Sequence, residues 1–134
     1  MKRIICLMLA IVCLVCFASC GDKKDENYID LTEMNDTLIQ TNLGNMSRFP
    51  KTFDGKTVKM KGIIATNEEG SEQYCVYIDS TGCCTRLMTV KWAEGFSTIG
   101  SSDNIVIEGT YDGFYTGVKE DYICGRLVDV KIVE

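Results

Sequence analysis

No histidine occurs anywhere in this chain of 134 residues. A histidine general base is therefore impossible, and the sequence contains neither a serine–histidine arrangement nor a glycine-rich phosphate loop. Positive charge is also scarce, since 14 Lys and Arg residues stand against 19 Asp and Glu residues and the net charge is −5. An acidic chain is repelled by nucleic acid. We therefore predict a protein that is not an enzyme, has no nucleic-acid partner and needs no cofactor.

The N-terminal segment lacks an apolar run long enough to span a membrane with margin. Basic residues at positions 2 and 3 precede the apolar stretch Ile4–Phe17, and small residues then end at Cys20. A positive region, a short apolar region and small residues in this order are typical of a secretory signal peptide. We predict that residues 1–19 are a signal peptide.

The small residues that end at Cys20 resemble the bacterial lipobox. The resemblance implies that Cys20 carries thioether-linked lipid with palmitate-type acyl chains and that the signal peptide is cleaved before it. Each buried CH₂ contributes about 0.8 kcal/mol, so two acyl chains would hold the protein firmly on a membrane. Residues 20–29 are then a polar tether, and the protein is lipid-anchored in the cell envelope, on the extracytoplasmic face of the cell membrane. The alternative is cleavage after Ser19 or Cys20, which gives a free secreted protein.

A helical pattern follows the tether. Apolar residues recur at three-to-four spacing from Leu31 onward, which predicts an amphipathic packing helix over residues 30–49. Asp30 and Glu33 have the spacing of a capping box, which places the predicted start of the helix near Asp30. Pro50 disfavours helical backbone at the residue before it and predicts that the helix ends in the mid-forties.

From residue 50 onward the apolar pattern changes to the period of a strand. Five strands in residues 50–134, with a short connection between the second and third, suit a small closed barrel because closure removes exposed edges. We predict a mainly β protein, a five-stranded OB-like closed barrel preceded by one N-terminal helix, with another small β-barrel or roll as the alternative. The predicted strands are Lys56–Gly62, Gln73–Ile78, Cys83–Trp92, Asn104–Tyr111 and Tyr122–Val133.

Three segments, Gly55–Gly62, Cys75–Cys84 and Ile107–Tyr111, resemble those of a known family. The family is that of the uncharacterised small OB-fold lipoproteins of Firmicutes, which carry a Cys-Cys pair after the second barrel strand. Its members typically have Asp-Ala-Thr-Ala-Cys-Cys where this chain has Asp-Ser-Thr-Gly-Cys-Cys. The resemblance implies a fold and a compartment. Similar pairs occur in extracytoplasmic domains of membrane proteins associated with permeases, a likeness that implies metal or small-solute handling.

The cysteines beyond the signal peptide are Cys75, Cys83, Cys84 and Cys124. If Asp79–Gly82 is a four-residue turn, Ile78 faces Cys83, and Cys75 shares a face with Cys84. In an OB barrel the fifth strand runs parallel beside the third, which would bring Cys124 near the pair. The four thiols are therefore predicted to gather at one end of the barrel.

Three interpretations of these cysteines stay open. In an oxidising compartment they form one or two disulfides, of which Cys124 with Cys83 or Cys84 is the first choice. They could instead bind a thiophilic metal ion, with Asp79 as a reserve ligand, because no histidine is available. The third interpretation is a redox-active thiol pair, with Arg86 lowering a neighbouring thiol pKa.

Aromatic residues supply the remaining candidate site. Tyr111, Phe114 and Tyr115 fall near the predicted loop between the fourth and fifth strands, a usual ligand loop of OB barrels. The alternative is that they cap one end of the barrel. Taken together, the sequence predicts a binding or interaction module that handles a solute or metal beside a transporter, or that binds an envelope protein. A thiol–disulfide redox protein and a purely structural envelope protein are the alternatives.

Overall fold

The computed structural model describes residues 25–95, 104–116 and 123–133. The predicted signal peptide, the predicted lipidation site Cys20 and the first part of the tether lie outside these ranges. Within the described ranges, no helix combines the length and the apolar character that crossing a lipid bilayer requires.

The chain enters the fold through a short strand that the sequence did not predict. This strand, β1 (Tyr28–Asp30), pairs in parallel with the first barrel strand. The Tyr28 hydroxyl lies 3.0 Å from Glu108 Oε2 and adds a side-chain contact to the pairing. The last residues of the predicted tether are therefore part of the folded domain.

Two helices follow, α1 (Asp36–Arg48) and α2 (Pro50–Phe53). The predicted start at Asp30 is wrong for the long helix, because the Asp30 side chain accepts a hydrogen bond from Thr32 N–H and caps only a 3-10 turn. The side chain of Asn35 caps α1 by accepting from Leu38 N–H at 3.0 Å. Helix α1 ends at Arg48, before Pro50, because helical backbone is disfavoured at the residue that precedes a proline. The buried face of α1 consists of Ile39, Leu43 and Met46.

The remaining strands form a closed mixed barrel, which confirms the predicted mainly β fold with five barrel strands. They are β2 (Thr57–Thr66), β3 (Gln73–Ile78), β4 (Thr85–Trp92), β5 (Asn104–Asp112) and β6 (Ile123–Ile132). Strand β2 pairs with β3 and β5, β3 with β4, β4 with β6, and β6 with β5, so the sheet returns to its first strand. The β4–β6 pairing is parallel, whereas the other barrel pairings are antiparallel.

Helix α1 packs against one end of this barrel. The Tyr111 hydroxyl, at the end of β5, lies 2.8 Å from the Met46 carbonyl oxygen and 2.9 Å from the Cys124 carbonyl oxygen. A single buried hydroxyl therefore joins the C-terminal part of α1 to the start of β6. Gly125 makes this contact possible, because a Cβ built on it would lie only 2.8 Å from Cζ of Tyr111.

Candidate functional site

The chain segment Asp79–Cys84 forms a closed loop between β3 and β4. The Asp79 N–H donates to the Cys84 carbonyl oxygen at 3.2 Å, and the Gly82 N–H donates to the Asp79 carbonyl oxygen at 3.0 Å. Gly82 has a φ of +74°, which an L side chain rarely adopts. Asp79 Oδ1 accepts from Thr81 Oγ1 at 2.9 Å and from Cys83 N–H at 3.1 Å. The Asp79 side chain thus holds the loop from within, as an Asx turn does.

This loop is longer than the four-residue turn that the sequence predicted. Ile78 lies opposite Thr85 rather than Cys83, and Tyr77 lies opposite Arg86. The bonds that the Asp79 carboxylate accepts from the far side of the loop shift the strand register. Consequently Cys83 and Cys84 both belong to the loop, and both are exposed.

The loop brings two thiols and one carboxylate together. Cys83 Sγ lies 3.4 Å from Cys84 Sγ and 3.7 Å from Asp79 Oδ2. One donor atom from each of these residues lies within 4.8 Å of the other two, a separation at which they could hold one metal ion. Thiolates and a carboxylate form a donor set suited to a thiophilic or borderline divalent ion.

Charges and hydrogen bonds in the loop set the protonation of these groups. The hydrogen bond from Thr81, with those from the backbone N–H groups of Cys84 and Cys83, lowers the pKa of Asp79 below its ordinary value. The hydrogen bond with Cys83 and the electrostatic interaction with the same side chain raise the pKa of the Cys84 thiol, and the nearby Asp79 carboxylate raises it further. Asp79 is therefore ionised at neutral pH, whereas Cys84 must lose a proton before it binds a metal.

Cys75 and Cys124 do not take part in this cluster. Both are buried, and burial raises the pKa of Cys75 to about 12 and that of Cys124 to about 11, the latter against an opposing effect of Arg86. Of the four thiols that were predicted to gather, only those of Cys83 and Cys84 belong to the metal-competent group in the described ranges. No disulfide joins any of the four cysteines in the described ranges, so the predicted bond from Cys124 to the pair is not formed.

The first turn of α1 holds the loop from outside. The Asp36 carboxylate accepts from the Tyr77 hydroxyl at 2.5 Å, from the Ser80 N–H at 2.9 Å and from the Ser80 hydroxyl. These bonds, those from Ser80 first, lower the pKa of Asp36. One turn later, Gln40 Nε2 donates to the Cys84 carbonyl oxygen at 3.4 Å. Sequence patterns did not identify Asp36 or Gln40, because their partners lie far away along the chain.

Removing the Asp36 carboxylate should loosen the loop while leaving the barrel folded. We expect the Ser80 amide in an Asp36→Ala variant to exchange with solvent at least about tenfold faster, since it loses its hydrogen-bond acceptor. Site-resolved hydrogen exchange would measure this change. A Glu68→Ala variant, which removes an exposed carboxylate from another loop, is the matched control and should leave Ser80 exchange unchanged. Equal Ser80 protection in both variants would show that Asp36 does not restrain the loop.

The predicted aromatic ligand loop divides into unlike parts. Tyr111 is only 1% exposed and lies in β5, so its ring packs in the core and cannot stack on a ligand. Phe114 is exposed, whereas the Tyr115 ring lies under Arg126, whose Cζ is 4.6 Å from the ring centroid. For Tyr111, the alternative that it closes one end of the barrel describes the structure.

A cleft of about 420 Å³ lies beside the Asp79–Cys84 loop. Its polar side includes Asp36, Asp79 and Ser80, and its apolar side includes Leu31 and Val76. Asp36 and Ser80, whose hydrogen bonds connect the loop to α1, therefore also line this cleft.

Comparison with protein-family models, curated proteins and solved structures finds no match to this chain. The resemblance to small OB-fold lipoproteins therefore stays a prediction. What the site can do follows from its donor atoms and from their surroundings.

Proposed function

We propose that this chain is an extracytoplasmic, lipid-anchored module that binds a thiophilic metal ion through Asp79, Cys83 and Cys84. The observation that carries the proposal is the position of the three donor atoms within 4.8 Å of one another on one hydrogen-bonded loop. The anchor is inferred from the N-terminal sequence, which ends its apolar region in small residues at Cys20. A binding role rather than catalysis agrees with the lack of histidine.

The barrel topology supports the OB-like part of the proposal. Counted along the barrel alone, the strand order is one, two, three, five, four and back to one. The third and fifth barrel strands, β4 and β6, run parallel. We infer that this is an OB-like barrel in which α1 covers one end.

Exposure of both thiols favours metal handling over a structural metal site. Structural zinc sites are usually closed by four protein ligands, whereas this cluster offers three residues in the described ranges. A metal on an exposed loop can be loaded and released without opening the core. Such a site suits a protein that receives or delivers an ion beside a transporter or another envelope protein.

Metal binding at this site should release protons. We expect zinc titrated into the reduced full-length protein to bind one ion per chain and to displace up to two thiol protons. Since protonated thiols compete with the metal, apparent affinity should fall as pH falls, by up to about a hundredfold per pH unit where binding displaces two protons. Calorimetry in buffers of different ionisation enthalpy measures the protons released. Binding without proton release, or failure to bind zinc, cobalt(II) and copper(I) alike, would contradict the proposal.

A thiol–disulfide function is the second candidate, favoured by the 3.4 Å separation of the Cys83 and Cys84 sulfurs. An oxidised low-molecular-weight disulfide would accept two electrons and two protons and become two thiols, while an Sγ–Sγ bond forms between the pair. The raised pKa of Cys84 opposes this reaction, because the thiolate is the attacking species. Intact mass after treatment with oxidised glutathione tests this candidate. Loss of two hydrogens without an adduct would favour it.

A further inference from the structure

We infer that the ion is a tetrahedral divalent ion of the zinc class, that Asp79 is its third ligand, and that its fourth position is open to a donor from outside the chain. This inference rests on the metal-binding function proposed above. It specifies the class of ion, and it specifies the bond from Asp79 to the metal that distinguishes this class from copper(I).

The distances between donor atoms select the coordination geometry. A tetrahedral ion with metal–sulfur bonds of about 2.3 Å separates two sulfurs by roughly 3.8 Å, and places a carboxylate oxygen roughly 3.5 Å from each sulfur. The structure has 3.4 Å between the sulfurs of Cys83 and Cys84, and 3.7 Å from Cys83 Sγ to Asp79 Oδ2. These two distances differ from the tetrahedral values by a few tenths of an ångström, and the third donor separation is at most 4.8 Å.

A linear ion fits this loop less well. Two sulfurs on opposite sides of a two-coordinate ion, as in many copper(I) thiolates, would be separated by twice the metal–sulfur bond, which is roughly 4.6 Å for a bond as long as that of zinc. Even with somewhat shorter bonds, the sulfurs of Cys83 and Cys84 would have to move apart from their present 3.4 Å by about 1 Å. Such an ion would also leave the carboxylate of Asp79 without a role, because hard oxygen ligands do not suit copper(I).

The two carboxylate oxygens of Asp79 have different partners. Oδ1 accepts hydrogen bonds from Thr81 and Cys83 and so holds the loop together. Oδ2 is the oxygen near Cys83 Sγ. An ionised carboxylate with one oxygen engaged by the loop and the other beside a sulfur is held in place as a single-oxygen ligand. Hydrogen bonds to a ligating carboxylate commonly fix its orientation in metal sites.

The fourth position follows from the membership of the cluster. Within the described ranges, the metal-competent group that includes the pair has only Asp79 as a further member. Both thiols are exposed, so solvent reaches the cluster. Water would complete the tetrahedron in the isolated protein, and a thiol or carboxylate of a donor or acceptor molecule could replace that water.

An Asp79→Asn variant separates the two oxygens. An asparagine retains an Oδ1 acceptor for the loop but replaces the anionic Oδ2 with a poor metal ligand. We expect zinc affinity to fall at least about tenfold, since even outer-shell changes at metal sites cost 10–100-fold. Copper(I) affinity should stay unchanged. Asp54→Asn is the matched control, because Asp54 Oδ1 likewise accepts a backbone bond, from Gly113 N–H at 2.8 Å, and its zinc affinity should equal that of the wild type.

Cobalt(II) bound to the wild-type protein tests the geometry without any substitution. A tetrahedral site should give intense visible d–d absorption and sulfur-to-cobalt charge-transfer bands, whereas an octahedral site gives weak d–d bands. Binding of copper(I) but not of zinc or cobalt would overturn this inference and leave the proposed metal-binding function standing. Unchanged zinc affinity in a folded Asp79→Asn variant would also overturn it, would remove Asp79 from the proposed ligands, and would leave metal binding by Cys83 and Cys84 standing. Failure of the wild type to bind any of these ions would overturn both.

Discussion

Replacing Cys83 and Cys84 together by serine is expected to abolish zinc binding in a micromolar titration. The change removes both soft ligands and leaves the Asp79 carboxylate alone, which cannot hold zinc at that concentration. Since both cysteines are exposed and lie in a loop, the melting temperature should stay within about 3 °C of the wild type. Zinc titration and thermal unfolding of the same preparation measure the two effects.

Cys75→Ser is the matched control for this pair. Cys75 has 0% exposure, so a serine hydroxyl there would be buried, and we expect a loss of about 1–3 kcal/mol of unfolding free energy. The folded fraction should still bind zinc with the affinity of the wild type. Zinc binding by the double-serine variant would refute the assignment of the ligands. A large loss of stability in that variant would instead indicate that the pair serves the fold.

The second large effect is expected for Gly125→Ala, which should reduce the unfolding free energy by about 2–6 kcal/mol. Gly125 has a φ of +131°, and its Cβ would lie 2.8 Å from Cζ of the buried Tyr111 ring. Overpacking in a closed core costs about 1–3 kcal/mol, and holding a residue that has a side chain in a sparsely populated backbone conformation adds about 1–3 kcal/mol. Urea unfolding measures the change.

Gly44→Ala provides the opposite control. Gly44 lies inside α1, and nothing stands within 4 Å of the Cβ that alanine would add. Because alanine favours a helix over glycine by about 0.8–1.0 kcal/mol, this variant should be slightly more stable than the wild type. If Gly125→Ala proved as harmless as Gly44→Ala, the close packing between β6 and Tyr111 would not be a constraint on the fold.

The strands were predictable because alternation is a local property. The predicted Gln73–Ile78 strand has the bounds of β3, and the other four barrel strands overlap their predicted ranges. The start of the helix was not predictable in the same way. Tyr28–Asp30 is too short to display a period, and its pairing with β2 is non-local. Asp30 is therefore the last residue of a strand, although its spacing from Glu33 predicted the cap of a long helix.

The candidate site was predictable in its chemistry but not in its membership. The sequence marked the adjacent pair and named Asp79 as a reserve ligand, yet it also gathered in Cys75 and Cys124, which the structure buries. The difference comes from the hydrogen bonds to the Asp79 side chain, which lengthen the loop and take the pair out of the strand. Asp36 carried no local signal, because its bond to Ser80 crosses from helix to loop.

The parallel pairing of β1 with β2 determines the end of the barrel at which the chain enters the fold. The start of β2, the ends of β3 and β5, and the starts of β4 and β6 lie at the same end of the barrel. The chain therefore enters the fold at the end that carries the Asp79–Cys84 loop. A fully extended chain from Cys20 to Tyr28 reaches at most about 28 Å. A lipid on Cys20 would thus attach the domain to a bilayer by the end of the barrel that carries the Asp79–Cys84 loop.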